Sequence, residues 1–236
     1  MSSKAPIILA IDTSDLELAK LWISHTSEHV SVFKLGLEFF INFGKEGIRA
    51  VTENSDAKIF LDLKLHDIPN TVGHAAQSAA TLNPLFLTVH ASGGQAMMEA
   101  AVKAAPKTLV TAVTVLTSMS NIDVKSVGFR DDSLNTATHL AQLAVKSGVG
   151  AIVCSPLETS VIRESIGKQA LIITPGVRPL EMAGSDDQSR TMTPSDAIAA
   201  GADYVVIGRP ITSAWEPTGI NIAKRAREIA SEILNS

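Results

Sequence analysis

Three ionisable side chains, Asp62, Lys64 and Asp67, fall within six residues of the stretch Phe60-Leu-Asp-Leu-Lys-Leu-His-Asp-Ile-Pro-Asn-Thr-Val72. The preceding Ala57-Lys-Ile-Phe-Leu61 reads as a strand rising out of an apolar core. Alternate side chains of a strand share a face, so Asp62 and Lys64 are predicted to point one way and Leu61, Leu63 and Leu65 the other. A carboxylate and an ammonium side by side at a strand end are rarely needed for folding. The plainer reading, an ion pair on a rim, would contribute little stability. A lysine flanked by two aspartates stays protonated. That state suits delivering a proton or stabilising a developing anion, whereas a Schiff-base nucleophile must be neutral. Asp67 lies beyond the strand, where its charge would also favour the N-terminus of a following helix. Pro69 ends the extended run, and Asn70 or Thr71 is placed to cap that helix.

Apolar strand-like runs alternate with helical patterns along the whole chain. Strands are predicted at Pro6–Ile11, Val30–Leu35, Lys58–Lys64, Leu85–His90, Thr108–Leu116, Ala151–Cys154, Ala170–Thr174 and Tyr204–Ile207. Helices are predicted at Leu16–His25, Glu38–Thr52, Asn70–Leu82, Gln95–Ala104, Ser133–Ser147, Glu158–Ser165 and Pro194–Ala200, with a last one ending near Leu234. The strands are nearly continuous Val/Ile/Leu runs, as parallel strands covered on both faces are. Eight βα units in 236 residues predict an α/β fold, a (β/α)8 TIM barrel in one domain spanning residues 1–236. An open doubly wound sheet would call for a Gly-rich turn after strand 1, and Ala10-Ile-Asp-Thr-Ser14 has none.

In such barrels the active site lies at the C-terminal ends of the strands. The polar residues there are Asp12, Lys34, Asp62, Lys64, His90, Thr117, Ser118, Ser155, Arg178 and Arg209. Arg178 follows Thr174-Pro-Gly-Val177, and Arg209 follows Ile207-Gly208. The loops after strands 7 and 8 commonly hold phosphate, and glycine at 176 and 208 allows close backbone approach to an anion. A phosphorylated substrate follows. The loops Ser118–Asp132 and Val177–Thr193 exceed the usual length, and the second reads as a lid over that phosphate.

Composition removes other classes. A net charge of −4 and 4% aromatic residues argue against a nucleic-acid or anionic-membrane surface. No apolar run has the length of a membrane span, and Met1-Ser-Ser-Lys-Ala-Pro6 lacks a signal-peptide pattern. The single Cys154 fits a reducing cytoplasm and a packed core thiol. The six histidines show no metal-ligand spacing; His90 reads as a structural hydrogen-bonding residue, and His66 has no assigned chemistry.

In family order, Ala10-Ile-Asp12, Phe33-Lys-Leu-Gly36, the Phe60–Val72 stretch, Val89-His-Ala-Ser-Gly-Gly94, Val113-Thr-Val-Leu-Thr-Ser118, Thr174-Pro-Gly-Val-Arg-Pro179 and Val206-Ile-Gly-Arg-Pro210 resemble the orotidine 5'-phosphate decarboxylase family, its bacterial branch most of all. The resemblance spans nearly the whole chain. It implies decarboxylation of orotidine 5'-phosphate to UMP and CO2, the last step of pyrimidine (UMP) biosynthesis, by a cytoplasmic lyase without cofactor or metal. It implies Lys64 as the acid that protonates C6, within a charged array of Lys34, Asp62, Lys64 and Asp67. Asp12 and Lys34 would hold the ribose hydroxyls, and Thr117 the pyrimidine edge. Arg178, Gly208 and Arg209 would hold the phosphate, and Gln188 in the lid would bridge phosphate and base. It further implies a homodimer in which Asp67, Ile68 and Thr71 reach the site from the partner. The nearest rivals, sugar-phosphate decarboxylases and hexulose-phosphate synthases, share the Asp-x-Lys-x-x-Asp core but carry a Glu for Mg2+ at the end of strand 2, where this chain has Lys34. A silent barrel that only binds a nucleotide or a protein would have no use for the intact charged set.

Overall fold

The computed structural model describes residues 4–53, 55–179 and 192–235. Its eight strands are β1 (Ala5–Ala10), β2 (Val30–Gly36), β3 (Ile59–Leu65), β4 (Phe86–His90), β5 (Leu109–Val113), β6 (Ala151–Val153), β7 (Leu171–Pro175) and β8 (Tyr204–Ile207). All neighbours are parallel, and β8 closes on β1 to form a barrel. The helices are α1 (Leu16–Thr26), α2 (Leu37–Thr52), α3 (Pro69–Ala80), α4 (Gln95–Ala104), α5 (Asn121–Ser126), α6 (Ser133–Lys146), α7 (Thr159–Ile166), α8 (Pro194–Ala199), α9 (Arg209–Thr212) and α10 (Ile220–Leu234). The predicted barrel is the observed one.

Two apolar layers hold it. The inner layer holds strand residues alone, with Ile8, Val32, Phe60, Phe86, Ala151 and Ile173 buried inside the barrel. Phe86 meets Phe60 and Tyr204 edge-on, with ring centroids 5.4 and 5.7 Å apart. The outer layer joins the opposite strand faces, including Ile7, Leu9, Leu35, Leu61 and Leu87, to helix residues such as Phe39, Val72, Met97 and Ile229. Both faces of each strand are therefore apolar, which is why period-2 alternation is absent from the sequence.

Three local details differ from the sequence reading. Ile68, not Asn70 or Thr71, is the N-cap of α3, and no side chain caps it; Pro69 stands at the first helical turn, where its missing N–H costs nothing. The loop after β5 contains a helix, α5, started by a reciprocal pairing of Ser120 with Asp123. β5 ends at Val113, three residues before the predicted Leu116; the Thr114 amide still donates to the Val153 carbonyl of β6 at 3.1 Å, and Val115, Leu116 and Thr117 line a cavity.

Candidate active site

The strand register sets the height of each polar group. Ala10 pairs with Lys34 and Lys34 with Phe60, while Gly36 pairs with Asp62. Asp12, two residues past Ala10, therefore stands level with Gly36 and Asp62 at the barrel mouth. Phe60, on the level below, closes the floor.

β3 does not run straight through this level. Leu61 pairs with Leu87 and Leu65 with Val89, so β3 advances four residues while β4 advances two. The bulge holds Asp62, Leu63 and Lys64, and Lys64 has φ +48°, a left-handed conformation unusual for a residue with a Cβ. Two extra residues preserve the period-2 assignment beyond the bulge. Asp62 and Lys64 therefore still meet, as predicted from alternation, but through a bulged backbone and not a regular strand.

The charges form a chain. Lys64 Nζ lies 2.8 Å from Asp62 Oδ1, Lys34 Nζ 3.7 Å from Asp62 Oδ2, and Lys34 Nζ 3.2 Å from Asp12 Oδ1. The Lys34 and Asp62 side chains are 13% and 14% exposed, and that of Asp12 60%. Asp62 is thus a nearly buried carboxylate between two ammonium groups. Removing it would leave two like charges facing each other in a poorly solvated site.

These groups line a cavity of about 350 Å³, large enough for one small ligand, together with Ala10, Thr117, Gly176, Arg178, Gly208 and Arg209. Its apolar walls are Phe60, Val113, Val115, Leu116, Val153, Val177 and Val206. Arg178 and Arg209 approach from β7 and β8. Gly176 has φ +78°, which lets the chain turn sharply after β7. The ends of the long loop are tied together, with the Arg178 amide donating to the Met192 carbonyl at 3.0 Å. Gly208 precedes the short helix α9, which begins at Arg209.

Of the sequence-predicted residues, Asp12, Lys34, Asp62, Lys64, Thr117, Arg178, Gly208 and Arg209 all line this cavity. Asp67, Ile68 and Thr71 do not; they are exposed beyond the mouth, and the Asp67 carboxylate accepts from the Ile68 amide at 2.6 Å. Gln188 lies outside the described residues. Among the other rim residues, His90 is half-buried beside His66, with ring centroids 5.4 Å apart. Burial first, then His66 and Lys64, push its pKa below the usual 6.5, against the pull of Asp62. The apolar walls carried no sequence signal of function, since valines at 113, 115 and 153 look like any other strand residues. Among the described residues, no three His, Cys, Asp or Glu side chains converge as metal ligands would, and no helix is long and apolar enough to cross a membrane.

Known proteins resemble this chain in sequence and fold. The orotidine 5'-phosphate decarboxylase / HUMPS family profile matches residues 5–220. The chain is 48% identical over 225 residues to the orotidine 5'-phosphate decarboxylase of Thermobifida fusca, covering 95% of this chain and 96% of that one. It is 45% identical over 214 residues to the enzyme of the same name from a Wolbachia pipientis strain, covering 90% and 93%. A crystal structure of orotidine 5'-phosphate decarboxylase from Lactobacillus acidophilus superposes with a TM-score of 0.83 at 34% identity, covering 98% of this chain and 99% of that chain. This chain belongs to the orotidine 5'-phosphate decarboxylase / HUMPS family.

Proposed function

We propose that this chain decarboxylates orotidine 5'-phosphate to UMP and CO2, closing pyrimidine nucleotide synthesis, with Lys64 as the proton donor and with no cofactor. The observation that carries the reading is the Asp12–Lys34–Asp62–Lys64 chain at one end of a cavity whose walls are apolar. Phosphate sits at Arg178, Gly208 and Arg209, which β7 and β8 bring to the far side of the mouth. Asp12 and Lys34 take the ribose hydroxyls, and Thr117 reads the pyrimidine edge. Gln188 bridges phosphate and base. The ring then lies between the valine walls with C6 toward Lys64.

Breaking the C6–carboxylate bond leaves an electron pair in an sp2 orbital that the ring π system cannot spread. The protein must stabilise that pair, and enzymes lower barriers by about 8–23 kcal/mol in total. A fixed ammonium beside the developing carbanion, walled by Val113, Val115 and Val153, acts without reorganising and in a low dielectric. The Lys64 Nζ proton then passes to C6 as CO2 leaves. Asp62, 2.8 Å from the ammonium, keeps Lys64 aimed. Phosphate binding, remote from the reacting atoms, supplies energy that holds the ring in place.

Lys34 favours this reading over the metal-dependent sugar-phosphate enzymes of the same family. Its ammonium fills the space between Asp12 and Asp62 where a divalent cation would otherwise be held. The test follows ultraviolet absorbance of orotidine 5'-phosphate after EDTA treatment. Metal-free conversion to UMP is expected. Inactivity, with turnover of a keto-sugar phosphate on adding Mg2+, would overturn both the substrate and the role of Lys34. UMP binding without any turnover would leave only a nucleotide-binding barrel.

We further propose a single-domain cytoplasmic protein that works as a homodimer with shared sites. Asp67, Ile68 and Thr71 are exposed and do not line their own cavity, and Ile68 is 66% exposed, with Leu37 and Ile41 exposed on the neighbouring helix α2. Mixing Lys64→Ala with Asp67→Ala subunits should restore part of the activity, because one site of each hybrid then has both residues. Proven exchange without recovery would exclude sharing.

A further inference from the structure

Thr88, at the centre of β4, is completely buried and does not line the cavity. Its Oγ1 accepts from the Lys64 backbone amide at 2.7 Å and lies 3.1 Å from Asp62 Oδ1. An amide only donates, so the hydroxyl proton remains for another acceptor. The Asp62 carboxylate at 3.1 Å is nearer than the Leu61 carbonyl at 3.5 Å, and it is charged. The same Asp62 Oδ1 accepts from Lys64 Nζ at 2.8 Å. One hydroxyl thus closes a ring through the backbone amide, the carboxylate and the ammonium of the Asp-x-Lys pair.

The ring spans the part of β3 that has slipped against β4, where Lys64 holds φ +48°. At the start of β3 the Lys58 carbonyl accepts from the Phe33 amide of β2 and the Ile59 carbonyl from Leu85, just before β4, so a regular continuation would turn the Lys64 amide to β2; the slip turns it instead to a β4 side chain. Without it the amide would be left unpaired in a poorly solvated place, and Asp62 would lose a fixed donor. A valine in place of Thr88 has nearly the same shape and supplies neither interaction.

We propose that Thr88 is a positioning residue for decarboxylation: its hydroxyl locks the left-handed Lys64 backbone and aims the Asp62 carboxylate, and so sets where the Lys64 ammonium stands. The kinetic assay rests on the decarboxylase reading above. Thr88→Val should lower kcat about 10- to 100-fold while UMP affinity changes by less than about threefold, because displaced ammonium affects the transition state more than product binding. Thr88→Ser, which keeps the hydroxyl, should recover most of the rate. A valine variant with kcat within about threefold of the parent, equal losses in serine and valine variants, or a parallel fall in UMP affinity would overturn the proposal. If Thr88→Val and Thr88→Ala both fail to fold, the hydroxyl serves stability and the proposal falls. Hydrogen exchange at the Lys64 amide, followed by NMR, needs no turnover. It should quicken at least about tenfold in the valine variant, and unchanged exchange sinks the ring. A parent protein inactive on orotidine 5'-phosphate would defeat the decarboxylase reading, while the amide measurement still decides the ring.

Discussion

Lys64 has a left-handed backbone, φ +48°, which only glycine adopts without strain. That conformation costs a residue with a Cβ about 1–2 kcal/mol relative to the right-handed one. Replacing Lys64 with alanine removes the ammonium and keeps the Cβ; replacing it with glycine removes both. Each variant loses the 2.8 Å pair with Asp62, and each keeps the amide bond to Thr88, so these effects cancel in the comparison. Glycine gains the released strain and loses about 0.4–1 kcal/mol through the greater freedom of its unfolded chain. Lys64→Gly should therefore be the more stable by about 1 kcal/mol, or about 2–4 °C in Tm for a chain of this size. Both variants should lose turnover and still bind UMP. The assay is calorimetric or denaturant unfolding of the pair under identical buffer, with UMP titration to verify the fold. An alanine variant as stable as the glycine variant, or more so, would show that the left-handed backbone stores no strain. Confirmation would mean that the fold gives up stability to place one ammonium, as strained residues at functional sites do.

A Cβ added at Gly36 would stand 3.2 Å from Lys34 Nζ and 3.8 Å from Asp12 Oδ1, so Gly36→Ala should displace the ammonium and raise KM about tenfold with little change in Tm; an unchanged KM would show that Lys34 adapts freely. His90 has its pKa held below 6.5, chiefly by burial, so the unfolded chain takes up this proton at higher pH than the folded one. Its contribution to stability is complete above about pH 6.5 and is lost as pH falls through the folded value, so His90→Gln should flatten the decline of Tm between about pH 7 and pH 5; an identical decline would rule His90 out as its source. Burial, reinforced by Glu158, pushes the Cys154 thiol up to about 12. Iodoacetamide at about pH 8 should leave the native protein unlabelled and modify it only as it unfolds, whereas rapid labelling in native buffer would show that β6 opens readily.

Much of the fold was legible because its signals are local. Eight apolar runs separated by amphipathic stretches specify a parallel α/β barrel, since strands covered on both faces need no alternation. The barrel then turns strand ends into a list of candidates, and seven residues from that list line one cavity together with Gly176 and Gly208. The missed elements were those with weak local signals. Helix α5 is six residues long and rests on the Ser120–Asp123 pairing. The start of α3 has a proline where a capping side chain was expected.

By itself the sequence determined the barrel, the order of its strand ends, the identities of Asp12, Lys34, Asp62 and Lys64, and membership of a family recognisable by long motifs. Only the tertiary structure decided how those groups meet. The slip of β3 against β4 arises from pairing between segments more than twenty residues apart, and nothing in Asp-Leu-Lys announces a left-handed lysine. Thr88 looks like any β-branched residue in a strand until the slip brings the Lys64 amide to its hydroxyl. The same holds for Val113, Val115 and Val153, which become cavity walls only when the barrel closes. Periodicity is written in neighbouring residues, whereas register, strain and the meeting of side chains depend on which distant strand lies alongside.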